Sequence, residues 1–95
     1  MTDLDDHLTA PARLRLVTML APVSEAEFAT VRDALGVSDS VLSKHLGALE
    51  EAGYLRRRKS VLDGRRATWI ALTAAGRRAV RRHVAALREL IDGVE

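Results

Sequence analysis

Apolar residues recur at intervals of three and four over Leu14–Leu20, Phe28–Leu35 and Leu42–Leu49, then alternate with polar ones between Tyr54 and Leu72, then return to helical spacing from Ala79 onward. The first helix is expected from Thr9, a suitable N-cap with Pro11 in the first turn, to about Leu20, ahead of Pro22. Its apolar set of Leu14, Leu16, Val17, Met19 and Leu20 is too broad for one-sided packing and predicts contact with two neighbours. Ser24 and Glu27 have capping-box spacing, but Ala26 to Phe28 also reads as a short strand with a helix starting near Ala29. Both readings stay open. Gly36 can end that helix in the left-handed conformation, Ser38 or Asp39 can cap the next, and Leu42, Leu46 and Leu49 carry it to about Ala52, before Gly53.

Two helices joined by a short glycine-containing turn form a helix-turn-helix pattern. Past Gly53, Tyr54 to Ser60 reads as a strand, Asp63-Gly64 as a tight hairpin turn, and Ala67 to Leu72 as the returning strand, with Trp69 and Ile70 favouring β structure. Thr73 then caps a last helix to about Asp92. Within it Val80, Val84, Leu87, Ile91 and Val94 alternate spacings of four and three, the seam of a coiled coil, widened by Ala79, Ala86 and Leu90. A head of this size cannot cover the whole stripe, so its distal half is expected to meet another chain. The fold class is therefore mainly α with a small β-hairpin (α+β), a winged helix-turn-helix with a long C-terminal dimerisation helix. Residues 1–95 form one domain, with a core over 9–72 and the dimerisation helix over 73–95.

Composition narrows the chemistry. The chain has 95 residues, and its 47% hydrophobic content includes one Phe, one Trp and one Tyr, so the core is aliphatic. Absence of cysteine excludes disulfides, thiolate metal sites and cysteine nucleophiles. No apolar run reaches membrane-span length and the first six residues are acidic, which predicts a soluble, cytoplasmic protein without membrane contact. Net charge is only +2 but unevenly spread: residues 53–82 hold ten cations against Asp63 alone, and the rest of the chain five against twelve acids. That asymmetry suits a polyanion-binding face on an acidic body.

The third helix puts Ser40, Ser43, Lys44 and Gly47 opposite Leu42, Leu46 and Leu49. Short hydroxyls and one cation suit insertion into a major groove, where they reach phosphates or base edges. Arg56, Arg58, Arg65 and Arg66 follow in the hairpin, the last two beside its tip, where arginine can reach phosphates or a narrow minor groove. A merely solvated basic edge would look the same residue by residue. His45 is read as packing beside Val41 and Ala48 or bonding a phosphate. His83 with Glu89 or Asp92, and His7 with Asp3, Asp5 and Asp6, are the conceivable metal sets, without tight ligand spacing. No phosphate-binding loop, dinucleotide fingerprint or nucleophile elbow occurs, so an enzyme is not expected, nor a cofactor.

The run Phe28 to Leu35, Gly36-Val37-Ser38, Leu42-Ser43-Lys44-His45-Leu46 and Leu49-Glu50-Glu51-Ala52-Gly53-Tyr54-Leu55 resembles winged helix-turn-helix regulators related to the MarR and ArsR families. Gly64 to Gly76 is similar to the wing and the L-T-x-x-G helix start of the same group, so the resemblance spans about Thr9 to Leu90. It implies a homodimer joined by the first and last helices, with Leu16, Met19, Val80, Val84, Leu87, Leu90 and Ile91 as candidate interface residues. It also implies a third helix reading the major groove of double-stranded DNA through Ser38, Ser40, Ser43, Lys44 and His45, and a wing contributing Arg65 and Arg66. The expected function is sequence-specific regulation of transcription, as a repressor on a pseudo-palindromic operator. The metal-sensing members' cysteines and aspartate-histidine pattern are missing. No ligand domain is appended, which leaves a small-molecule effector open. A ligand- or metal-responsive sensor and a winged-helix protein-interaction module are the alternatives.

Overall fold

A computed structural model describes residues 4–94. In chain order it contains α1 (Pro11–Leu20), β1 (Ala26–Glu27), α2 (Phe28–Leu35), α3 (Asp39–Glu51), β2 (Leu55–Leu62), β3 (Arg65–Leu72) and α4 (Ala74–Asp92). The three strands form one antiparallel sheet in the order β1-β3-β2. Leu16, Val17 and Leu20 of α1, Val31 and Leu35 of α2, and Leu42, Leu46 and Leu49 of α3 close over Leu55, Ile70 and Leu72 of the sheet, with Leu8 sealing the N-terminal side. Among the described residues no helix is long and apolar enough to cross a membrane.

Of the two readings of Ala26 to Phe28, the strand is the one adopted. Ala26 and Glu27 pair with Ile70 and Trp69, so their backbone groups are satisfied by β3. No capping box forms, because Glu27 is extended and makes no side-chain cap bond. Thr9 also departs from expectation. Its hydroxyl donates to the Asp6 carbonyl, and Ala10 takes the cap position without a side-chain bond, leaving Pro11 to start α1 where its missing N–H costs nothing.

The hairpin extends to Leu62 and back from Arg65, further toward its tip than the alternation predicted. Asp63 and Gly64 both have positive φ (52° and 74°), a turn whose twist matches the strands and lets pairing continue to Leu62 opposite Arg65. Ser38 is the cap of α3, its Oγ accepting from the Val41 amide at 3.2 Å. Thr73 caps α4 by accepting from the Gly76 amide at 3.0 Å while donating to the Gly53 carbonyl at 2.6 Å. Gly76 is required there: a Cβ would run into the Tyr54 carbonyl, so only glycine lets α4 start against the turn that follows α3.

Candidate nucleic-acid interface

The link between α2 and α3 is held from both sides. Gly36 takes φ 67° and its amide donates to the Arg32 and Asp33 carbonyls, closing α2. The Arg32 guanidinium bridges Asp33 (2.9 Å) and Asp39 (2.8 Å). Hydrogen bonds to Asp39 and then Asp33 push its pKa above the ordinary arginine value. A cation in the last turn of α2 and an acid in the first turn of α3 also complement the two helix dipoles. With the angle between the helices fixed and Leu42, Leu46 and Leu49 fully buried, the opposite side of α3 faces outward.

On that side Ser40 and Lys44 are exposed and Ser43 is half-buried. Ser38 Oγ lies 3.1 Å from Ser40 Oγ, so its capping role leaves it part of a hydroxyl pair at the helix start. Val41 is 42% exposed, which puts an apolar side chain able to contact a thymine methyl on the same helix, where sequence reading had it packing beside His45. His45 is half-buried and accepts at Nδ1 from Nε of Arg13 on α1 at 3.2 Å. Burial lowers its pKa, and the charges of Arg13 and Lys44 lower it further. The neutral ring with Nδ1 accepting carries its proton on Nε2, a donor for a phosphate or base acceptor.

In the wing, strand alternation separates the cations into two sets. Arg57, Lys59 and Arg66 are in phase with Leu55, Ile70 and Leu72, on the side of the sheet turned to the helices; Arg56, Arg58 and Arg65 are on the other. Arg57, which sequence reading omitted together with Lys59, is bonded to Glu50 of α3 at 2.6 Å and so ties the wing to the end of that helix. The phase of Leu55 was the signal that could have found it. Arg58 is bonded to Glu25 at 2.6 Å and lies over the Trp69 ring at 5.9 Å, while Arg65 is 3.8 Å from Glu27. Arg77, also within the basic segment, donates to the Ala21 and Val23 carbonyls and so secures the end of α1. Within the wing, Arg56, Lys59 and Arg66 are exposed and have no ion pair among the described residues, and the same holds for Lys44 on α3.

The candidate interface between chains divides along α4. Leu16, one of the expected interface residues, is fully buried within its own chain, and Val80 is nearly so; Met19 and Val84 pack against the core. Leu87 is half-buried, and Leu90 and Ile91 are exposed. His83 is buried as well, accepting at Nδ1 from the Asp5 amide at 2.9 Å. Asp5 in turn accepts from the Tyr54 hydroxyl at 2.5 Å and from the His7 amide at 2.9 Å, an N-terminal clasp that no spacing in the sequence announced. No group of three His, Asp or Glu among the described residues is placed to hold a metal, and Asp3 of the conceivable His7 set lies outside them.

A helix-turn-helix braced by an ion pair, followed by a basic hairpin, defines a winged-helix DNA-binding protein of the transcription-regulator class. The chain belongs to the winged helix DNA-binding domain family, whose model matches residues 12–91. It is 31% identical over 83 residues to the protein MJ0432 of Methanocaldococcus jannaschii, covering 87% of this chain and 90% of the relative. Among solved structures, a transcriptional regulator homologue from Pyrococcus horikoshii OT3 superposes with a TM-score of 0.88 at 28% identity, covering 94% of this chain and 88% of that one. NadR in complex with 4-hydroxyphenylacetate superposes with a TM-score of 0.74 at 25% identity, covering 94% of this chain and 62% of NadR. The Pyrococcus neighbour is described as a transcriptional regulator homologue, in agreement with the regulator class that the sequence resembles.

Proposed function

We infer that two copies of this chain bind a pseudo-palindromic operator in double-stranded DNA and repress transcription by occluding the promoter. The observation that carries the reading is a helix-turn-helix whose α3 leaves Ser40, Val41 and Lys44 exposed and Ser43 half-buried, followed directly by a wing on which Lys59 and Arg66 are exposed on the sheet side turned to the helices. Hydroxyls and Lys44 offer base-edge and phosphate contacts, and the wing's cations supply sequence-independent attraction. Support for a twofold assembly comes from the exposed Leu90, Ile91 and Val94 at the distal end of α4.

Selecting bound duplexes from a random pool and titrating the winner over a salt series tests this reading. A symmetric site is expected, with affinity falling by about 0.9 in log K per log unit of salt for each phosphate neutralised. Substituting Ser43 and Lys44 together by alanine is expected to abolish preference for the selected site while leaving residual non-specific binding. A flat salt response, or undiminished preference in that double variant, overturns the reading.

A second, ligand-responsive reading has one observation of its own. An open cleft of about 550 Å³ lies between the N-terminal segment, Tyr54 and α4, with His7 and Arg82 on its wall, next to the end of α3. A small aromatic acid of the kind seen in NadR is the compound to try, by calorimetry with 4-hydroxyphenylacetate. No heat at millimolar ligand rejects it.

A further inference from the structure

Three of the wing's arginines are already occupied by carboxylates of their own chain. Glu50 at the end of α3 takes Arg57, Glu25 in the segment before β1 takes Arg58, and Glu27 of β1 stands nearest Arg65. The pairs approach the wing from both of its faces, because β2 alternates and its two sides are flanked by different elements. Arg58 and Glu25 hold each other most fully: two nitrogens of the guanidinium reach the two carboxylate oxygens at 2.6 and 3.4 Å, and hydrogen bonding from Arg58 lowers the Glu25 pKa.

None of these pairs is buried, the Arg57–Glu50 link between wing and α3 included. All are partly or largely open to solvent, where an ion pair contributes little to stability. Arg58 meets both oxygens of Glu25, Arg57 meets one oxygen of Glu50 through two nitrogens, and Arg65 stands 3.8 Å from one oxygen of Glu27, so each carboxylate occupies guanidinium N–H groups that would otherwise donate to the non-bridging oxygens of a DNA phosphate. One guanidinium fork cannot serve both in full, and the dense charge of duplex DNA displaces an exposed carboxylate.

Resting on the DNA-binding reading above, we propose that Glu25, Glu27 and Glu50 are phosphate surrogates that hold three wing arginines in the free protein and limit its affinity for DNA backbone. Phosphate attraction is indifferent to sequence, so competition at the wing lowers non-specific binding and leaves discrimination to α3. The acids are therefore specificity-determining residues, although they touch no base.

A double-mutant cycle on the full-length protein tests this, with binding to a fluorescent mixed-sequence duplex as the readout and circular dichroism as the check on folding. Glu25→Gln is expected to tighten binding about two- to fivefold, the range for releasing one exposed ion pair. In an Arg58→Ala background the same substitution is expected to have little effect, since no arginine remains to be released. Glu50→Gln with Arg57→Ala is expected to repeat the pattern, and Glu27→Gln with Arg65→Ala to show it most weakly, given the longer separation. Equal tightening in both backgrounds means the acid acts only as a distant repelling charge, and overturns the proposal. So does no change, or weaker binding, in Glu25→Gln alone. A wild-type chain that does not bind duplex at all removes the DNA-binding reading and this inference with it, whereas binding without coupling removes the inference alone.

Discussion

The two halves of α4 follow one heptad pattern in different surroundings. In the first half Gly76, Ala79, Val80 and His83 are buried, the cap Thr73 is bonded to the loop after α3, and the Asp5 amide closes over His83. In the second half Leu90 is 43% exposed and Ile91 58%, with Ala86 the last buried position, and Val94 just past the helix end is 86% exposed. Periodicity thus says which side of a helix is apolar but not what covers it. Here a single chain covers the near half and leaves the far half bare, and the molecule is correspondingly long at 53 × 26 × 22 Å.

The sharpest way to break the near half is at its tightest contact. Gly76→Ala places a methyl against the Tyr54 backbone, which cannot rotate away as a side chain would, so α4 must shift from the turn it is capped on. A loss of about 3 kcal/mol in urea unfolding is expected, toward the upper end of overpacking costs. Full stability in that variant would mean the close approach is not maintained in solution. At the far half the opposite separation is expected. Ile91→Glu should leave the fold intact, since that side chain has little to lose within its own chain, yet weaken self-association by about 2 kcal/mol, the burial value of one large aliphatic side chain. Sedimentation reads the association and circular dichroism the fold. An unchanged sedimentation profile would detach the exposed stripe from dimer formation.

The same contrast explains what could be read from the chain before its structure. α3, the hairpin turn and the start of α4 were legible because each rests on a local signal: Ser38 and Thr73 as caps, Asp63-Gly64 as a turn, and Leu42, Leu46 and Leu49 as a buried row. β1 was ambiguous because two residues pair only when β3 is already beside them, and nothing in Ala26-Glu27 encodes that neighbour. Leu16 was assigned to an interface from the family resemblance and the breadth of the apolar face, neither of which tells its depth, which depends on the other helices. On the candidate DNA-facing surface, the basic character was legible, but the partners that divide it were not. Glu25 is 33 residues from Arg58 in sequence, and Arg13 is 32 from His45. Long-range polar contacts, whether ion pair or hydrogen bond, leave no periodic trace.

The smallest expected effect sharpens the comparison through pH. Asp5 ties the near half of α4 to the loop after α3 by giving its amide to His83 and its carboxylate to Tyr54 and His7. Partial burial works against its ionisation, but the hydrogen bonds from the Tyr54 hydroxyl and the His7 amide and ring outweigh it, so its pKa lies below the ordinary aspartate value. A depressed carboxylate stabilises the fold above its unfolded pKa, and that contribution disappears as pH falls through the folded value. Asp5→Asn keeps the backbone bond to His83 and removes the charge. It is expected to be less stable than wild type at neutral pH by about 1 kcal/mol, the net value of weakened hydrogen bonds from the Tyr54 hydroxyl and His7 amide to a partly buried acceptor. The two unfolding curves should converge below about pH 4, where the wild-type side chain also becomes neutral. A gap that persists undiminished at low pH would assign the difference to packing of the clasp, and then the near half of α4 would owe its attachment to Leu8 and Gly76 without help from the charge.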